Sequence, residues 1–220
     1  MLKKLKTSAL LTTATIAFTA PTMAYQAGDI LLRAGTATVS PESKSDDLDQ
    51  LAGAQASAND NTQLGISGTY MITDQIGVEV LGATPFTHDL EGKGGLAGAD
   101  IGEVKHLPPT ISAQYYFLEP TSALQPYVGA GLNITVFFDE KPGADVAAYD
   151  ELSLDESVGL AVQAGIDYKI NEQVFVNASA MYAKIGTTAT LKDSTGTEPT
   201  LTVDYDLDPM VYRLNVGYKF

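Results

Sequence analysis

The chain is 220 residues long, lacks cysteine and tryptophan, and carries 27 acidic against 13 basic side chains, a net charge of −14. So acidic a balance argues against a basic nucleic-acid footprint, and the lack of cysteine rules out a disulfide framework. No apolar run approaches the roughly 20 residues that a membrane-spanning helix requires.

The chain opens with a targeting pattern. Lys3, Lys4 and Lys6 precede an apolar, Thr/Ala-rich run from about Ala9 to Ala20, and Thr22-Met23-Ala24 supplies small residues for cleavage. Residues 1–24 are therefore expected to be a cleaved secretory leader, with 25–220 a single domain. Cleavage would remove three lysines and no acid, taking the net charge to −17.

From there apolar and polar residues alternate with period two, and helical spacing is absent. Eight strands are predicted, at about 29–39, 62–73, 76–86, 104–118, 124–138, 157–170, 174–190 and 201–220. In the last of them Tyr212, Leu214, Val216, Tyr218 and Phe220 alternate with Arg213, Asn215, Gly217 and Lys219. The connections alternate as well. Asp74-Gln75, the segment Glu119–Ala123 and Asn171-Glu172-Gln173 are short, whereas those after strands one, three, five and seven are long and polar. Short turns at one end and long loops at the other, around an even number of strands, predict an all-β fold: an eight-stranded antiparallel transmembrane β-barrel of the outer membrane.

A soluble β-sandwich or lipocalin-like barrel also alternates, and two features oppose it. Tyr70, Tyr115, Phe117, Tyr168, Tyr182, Tyr212, Tyr218 and Phe220 fall near strand ends, as interfacial girdles require. The opposite face carries Arg33, Glu79, Gln114, Asn133, Gln163, Asp167, Asn177, Arg213 and Asn215, which a dry core would not hold unpaired.

With the apolar face toward lipid, parity assigns the lumen. Arg33, Glu79, Asp167, Lys169 and Lys219 then fall in its lower, periplasmic half, where opposite charges in so narrow a barrel are expected to pair into a plug. Leu81, Ala83, Phe137, Met181 and Ile185 lie higher and form an apolar ligand-binding lumen. That polarity suits small hydrophobic molecules better than a water-filled pore. Space-filling core residues of a structural barrel are the alternative.

The fourth strand is entered through Pro108-Pro109, which remove one ladder donor toward each neighbour. An orphaned carbonyl is costly in lipid, so the pair is expected near the extracellular boundary. It is read either as a simple strand start or as a lateral gap in the wall.

His88 and His106 are the only histidines. No nucleophile elbow or metal-ligand spacing accompanies them, so they are expected at the surface or rim. Asp204, Asp206 and Asp208, and the acids of the third long loop, are read as a solvated acidic rim. Bridging through divalent cations to lipopolysaccharide is the alternative. No metal, cofactor or catalytic group is expected. The alternative function is a structural or adhesive barrel whose acidic loops bind partners or cations. A hydrolase or acyltransferase is disfavoured for want of a nucleophile–base constellation.

Five segments carry a resemblance: "AGDILLRAGTATVSP" (27–41), "IGVEVLGATPFTHDL" (76–90), "HLPPTISAQYYF" (106–117), "PYVGAGLNITVFF" (126–138) and "LDPMVYRLNVGYKF" (207–220). Together, and in this order, they resemble the OmpW-type outer-membrane family. The resemblance implies uptake of small hydrophobic compounds through an apolar upper lumen, with exit through a gap in the wall, and it places the apolar lumen positions on Leu81 and Met181. Relatives often carry Trp where Met181, Val158 and Met210 stand here; Met is a flexible apolar substitute. The implied partners are small hydrophobic molecules, outer-membrane lipid and lipopolysaccharide, with no nucleic acid, and a monomer fits the pattern.

Overall fold

A computed structural model describes residues 24–42, 44–45, 54–95 and 97–220. All of the expected leader except Ala24 lies outside these residues. Eight strands form the wall: β1 (Ile30–Ser40), β2 (Asn61–Met71), β3 (Ile76–Ala83), β4 (Thr110–Tyr116), β5 (Leu124–Pro142), β6 (Ser157–Lys169), β7 (Val174–Ala183) and β8 (Met210–Lys219). Each pairs antiparallel with its sequence neighbours. The ladder from Leu31↔Lys219 to Ser40↔Met210 joins β1 to β8 and closes the barrel.

Four of the predicted strands are interrupted in the structure. The run 76–86 breaks at Thr84-Pro85, 104–118 at Pro108-Pro109, 174–190 after Ala183, and 201–220 at Leu207–Pro209. Beyond these breaks the long connections are themselves β-structured. Ala54–Ala58, Phe86–Gly94, Asp100–Leu107 and the upper part of β5 form one extension sheet. Lys44–Ser45, Glu151–Leu154, Gly186–Lys192 and Leu201–Asp206 form another.

Polarity is inverted relative to a water-soluble protein. Val158, Leu160 and Leu214 point outward and are 70%, 68% and 67% exposed, while Arg33 and Asp167 point inward at 1% and 0%. Apolar surface on that scale is stable only against lipid. Outward Tyr70, Tyr115, Phe117, Tyr168, Tyr218 and Phe220 lie close to the short turns, with Tyr212 and the partly covered Tyr182 toward the loops.

The interior is built in three layers. Nearest the short turns, Tyr25, Leu31, Met71, Tyr116, Tyr127 and Phe175 pack together. A charged and hydrogen-bonded layer lies above them. Over that, an apolar cluster including Ala37, Leu81, Phe86, Phe137, Met181, Ile185 and Val211 reaches into the extension sheets. The lowest layer depends on two glycines: a Cβ on Gly217 would run into the Phe175 ring, and one on Gly165 into Tyr127. Pairing large rings with residues that have no side chain is how eight strands fit a filled lumen.

Candidate functional site

Parity on β1, β3, β6 and β8 aims four charges into the middle layer. Arg33 donates through Nη2 and Nε to Asp167 at 2.7 and 3.3 Å, through Nη1 to Thr69 Oγ1 at 2.8 Å, and through Nη2 to Tyr116 OH at 2.9 Å. Asp167 also accepts from Asn177 Nδ2 at 2.7 Å and from Tyr25 OH at 3.0 Å. Glu79 lies between the two arginines, 3.3 Å from Arg213 Nη1 and 3.9 Å from Arg33 Nη1. Gln163 ties the layer together: its amide nitrogen Nε2 donates to Glu79 at 2.8 Å and to Ser112 at 2.6 Å, and its oxygen accepts from Arg213 Nη2 at 2.6 Å. Two cations and two anions balance, and charges held this closely can remain ionised out of water.

Arg33, Glu79 and Asp167 thus come together, joined by Arg213, which belongs to the same network. Lys169 and Lys219 sit apart, at the turn-side mouth. Lys169 Nζ donates to the Pro120 carbonyl at 2.6 Å and lies 4.1 Å from the centre of the Tyr25 ring. Lys219 Nζ donates to the Ala24 carbonyl at 2.7 Å and is 3.5 Å from Asp29.

Above the charged layer a cavity of about 20 Å³ is lined by Leu81, Gly82, Ala83, Met181, Ile185 and Pro108, with Ala37, Val39, Phe86, His106, Asn133, Ala183, Pro209 and Val211 completing the wall. Phe137 belongs to the same apolar cluster, though it is not among the cavity walls. A space of that size holds about one water molecule. Anything larger must displace side chains, and Met181 is the most pliable of them.

Two proline breaks border this cavity, and they differ. At Pro209 the chain is stitched. Asp208, at a φ of 35°, accepts from Ile185 N at 3.0 Å and from Tyr182 OH at 2.9 Å, while Ala183 N donates to the Pro209 carbonyl at 3.2 Å. At Pro108-Pro109 only the β5 side is stitched. Ile134 N donates to the Pro109 carbonyl at 2.9 Å, and Asn133 Nδ2 donates to that of Pro108 at 3.1 Å. On the β3 side the register stops at Leu81↔Thr110 and resumes at Phe86↔His106. Gly82–Pro85 therefore face Leu107–Pro109 across an interrupted ladder, and Gly82, Ala83 and Pro108 also line the cavity.

The histidine expectation is overturned. His88 and His106 are both 0% exposed, their Nε2 atoms 2.9 Å apart. The hairpin of Phe86–Gly94 and Asp100–Leu107 turns both rings inward. Among the described residues no group of three His, Asp or Glu gathers as a metal site.

Comparison with known proteins agrees with this architecture. The model of the OmpW family matches residues 26–220. Outer membrane protein W of Vibrio cholerae is 48% identical over 206 residues, covering 91% of this chain and 93% of the relative. The crystal structure of the outer membrane protein OprG from Pseudomonas aeruginosa superposes with a TM-score of 0.84 at 39% identity, covering 90% of this chain and 99% of that one. A more distant relative, 26% identical over 173 residues (78% of this chain, 77% of the relative), is named dibenzothiophene metabolism operon protein PahQ, from Pseudomonas aeruginosa.

Proposed function

The chain belongs to the OmpW family of bacterial outer-membrane proteins, and from that premise we propose that it passes small apolar molecules from the cell exterior into the membrane, catalysing no reaction. One observation carries the reading: the interrupted ladder between β3 and β4, beside Pro108-Pro109, borders the apolar cavity above a charge-paired layer. An apolar solute entering from the loop end would meet Leu81, Met181 and Ile185. It would be barred from going down by Arg33, Glu79, Asp167 and Arg213, because displacing them would unpair buried charges. The sideways path past Gly82, Ala83 and Pro108 crosses no strand-to-strand hydrogen bond. The name of the PahQ relative, which refers to metabolism of an aromatic and apolar compound, points in the same direction.

In this reading Lys169 and Lys219 close the turn-side mouth beneath the charged layer, and residues 1–24 are a leader whose removal leaves Tyr25 to seal the lumen floor. Liposome uptake of an apolar dye tests the passage. Leu81→Arg and Met181→Arg should each cut uptake by about an order of magnitude while the barrel still folds, since a long cationic side chain would fill the small cavity and make it polar. Unchanged uptake in both variants would remove the reading. Pro108→Ala with Pro109→Ala tests the exit separately: restoring one donor toward β3 should slow transfer into lipid without altering binding in the cavity.

A further inference from the structure

His88 and His106 form a relay whose hydrogen positions follow from its first member. His88 Nδ1 lies 2.6 Å from the Asn59 carbonyl oxygen, which can only accept, so that nitrogen carries the hydrogen. In a neutral ring His88 Nε2 is then bare. The 2.9 Å contact between the two Nε2 atoms therefore requires His106 Nε2 to be the donor. His106 Nδ1 is left as a bare acceptor.

That nitrogen is buried and has no hydrogen-bond partner among the described residues. The His106 ring stacks against Phe86 at 5.4 Å and lies tilted 5.9 Å from Phe137, so its faces meet aromatic carbon. It also forms part of the cavity wall. Asn133, the other polar residue of that wall, is already engaged: its Nδ2 donates to the Pro108 carbonyl and to Thr110 Oγ1, and its Oδ1 accepts from Thr135. Burial lowers the pKa of both histidines, that of His106 to about 3 with His88 adding to the effect, so the relay is neutral at neutral pH. Asp60 and Asp89, the carboxylates acting on the pair, bear on His88 and only partly offset its burial.

We infer that the cavity selects apolar molecules carrying one hydrogen-bond donor, such as a phenol, an alcohol or an undissociated carboxylic acid, which His106 Nδ1 accepts. This rests on the proposed passage of apolar molecules and narrows its solute class. A ketone or ether would bring one acceptor against another and leave both unpaired. A hydrocarbon would leave the nitrogen unpaired.

The test uses the full barrel in lipid nanodiscs with naphthalene, 1-methoxynaphthalene and 1-naphthol as probes. Binding of 1-naphthol is expected to be roughly tenfold tighter than that of 1-methoxynaphthalene, the ratio that one net hydrogen bond supplies. In His106→Phe the ratio should fall to about one. In the unmutated protein, nitrogen-15 NMR should show His106 protonated on Nε2, and its Nδ1 signal should move on addition of 1-naphthol only. Equal binding of all three probes overturns the donor selectivity and leaves the passage intact. Binding of none overturns both. An Nδ1 signal that 1-naphthol does not move, as with a water already bound there, overturns the selectivity without any substitution having to fold.

Discussion

Replacing Arg33 by methionine keeps much of its volume and deletes its charge. In the structure that charge serves four groups: Asp167 through two hydrogen bonds, Thr69, Tyr116 and, at 3.9 Å, Glu79. After the change Asp167 would keep the Asn177 amide at 2.7 Å and the Tyr25 hydroxyl at 3.0 Å but would lose its hydrogen-bonded cation, at 0% exposure. Removing one member of a buried ion pair costs about 3–5 kcal/mol, and the upper end applies because Glu79 also loses one of its two arginines. Adding Asp167→Asn restores neutrality, since Glu79 and Arg213 still balance. The double variant should therefore lose at least about 2 kcal/mol less than the two single losses summed, a coupling typical of shared networks. Urea unfolding in lipid vesicles, followed by far-ultraviolet circular dichroism, measures all three variants. Single losses below about 1 kcal/mol that simply add would show that the charges are solvated or unpaired, and the account of the middle layer would fall with them.

Other consequences are more local. Asp208→Ala should destabilise the barrel by about 1–3 kcal/mol, read from the same unfolding curves, because Ile185 N and Tyr182 OH lose their acceptor and alanine fits the positive φ poorly; Asp208→Asn should recover most of it. Gly217→Ala should cost about 1–3 kcal/mol, or prevent folding, since the new methyl group occupies the place of the Phe175 ring. For the histidine hairpin the sign follows from the lowered values: its stability is complete above 6.5 and is lost as pH falls from there toward about 3, when the unfolded state binds protons that the folded one refuses. Protection factors of the amides across Phe86–Gly94 and Asp100–Leu107 should fall over that window, and protection that does not change with pH would contradict the burial of the pair.

Which residues face inward was legible from period two alone, because a strand held in a ladder cannot rotate one side chain without rotating all of them. Arg33, Glu79, Gln163, Asp167 and Arg213 are buried, and Leu160 and Leu214 exposed, for that reason. What gathers them was not legible, since Arg33 and Asp167 meet across the lumen at a height set by register. The aromatic floor shows the same limit: Tyr127 and Phe175 fit only because Gly165 and Gly217 lie opposite them on neighbouring strands. The histidines were missed for another reason. The lack of a catalytic or metal-ligand spacing suggested exposure, yet Phe86, His88 and Leu90 share one parity and Val104 and His106 share the parity that meets it. The fourth strand's own parity, carried back through Pro108-Pro109 from Ser112 and Thr110, does turn His106 inward, but the break at Thr84-Pro85 shifts the inward set from Glu79 and Leu81 to Phe86 and His88, which no unbroken alternation shows.

The interrupted ladder also bears on how long the folded protein lasts. A closed barrel has no free edge to peel, so unfolding within lipid must begin by parting two neighbouring strands. β3 and β4 share six registered pairs, from Ile76↔Tyr115 to Leu81↔Thr110, whereas β5 and β6 share twelve, from Ser157↔Thr135 to Tyr168↔Leu124. The barrier to unzipping is therefore lowest at the seam beside Pro108-Pro109, and persistence becomes a question of rate more than of equilibrium. A tighter seam would lengthen the barrel's half-life at the expense of the sideways path. The length of one strand pair thus limits durability and lateral exit together.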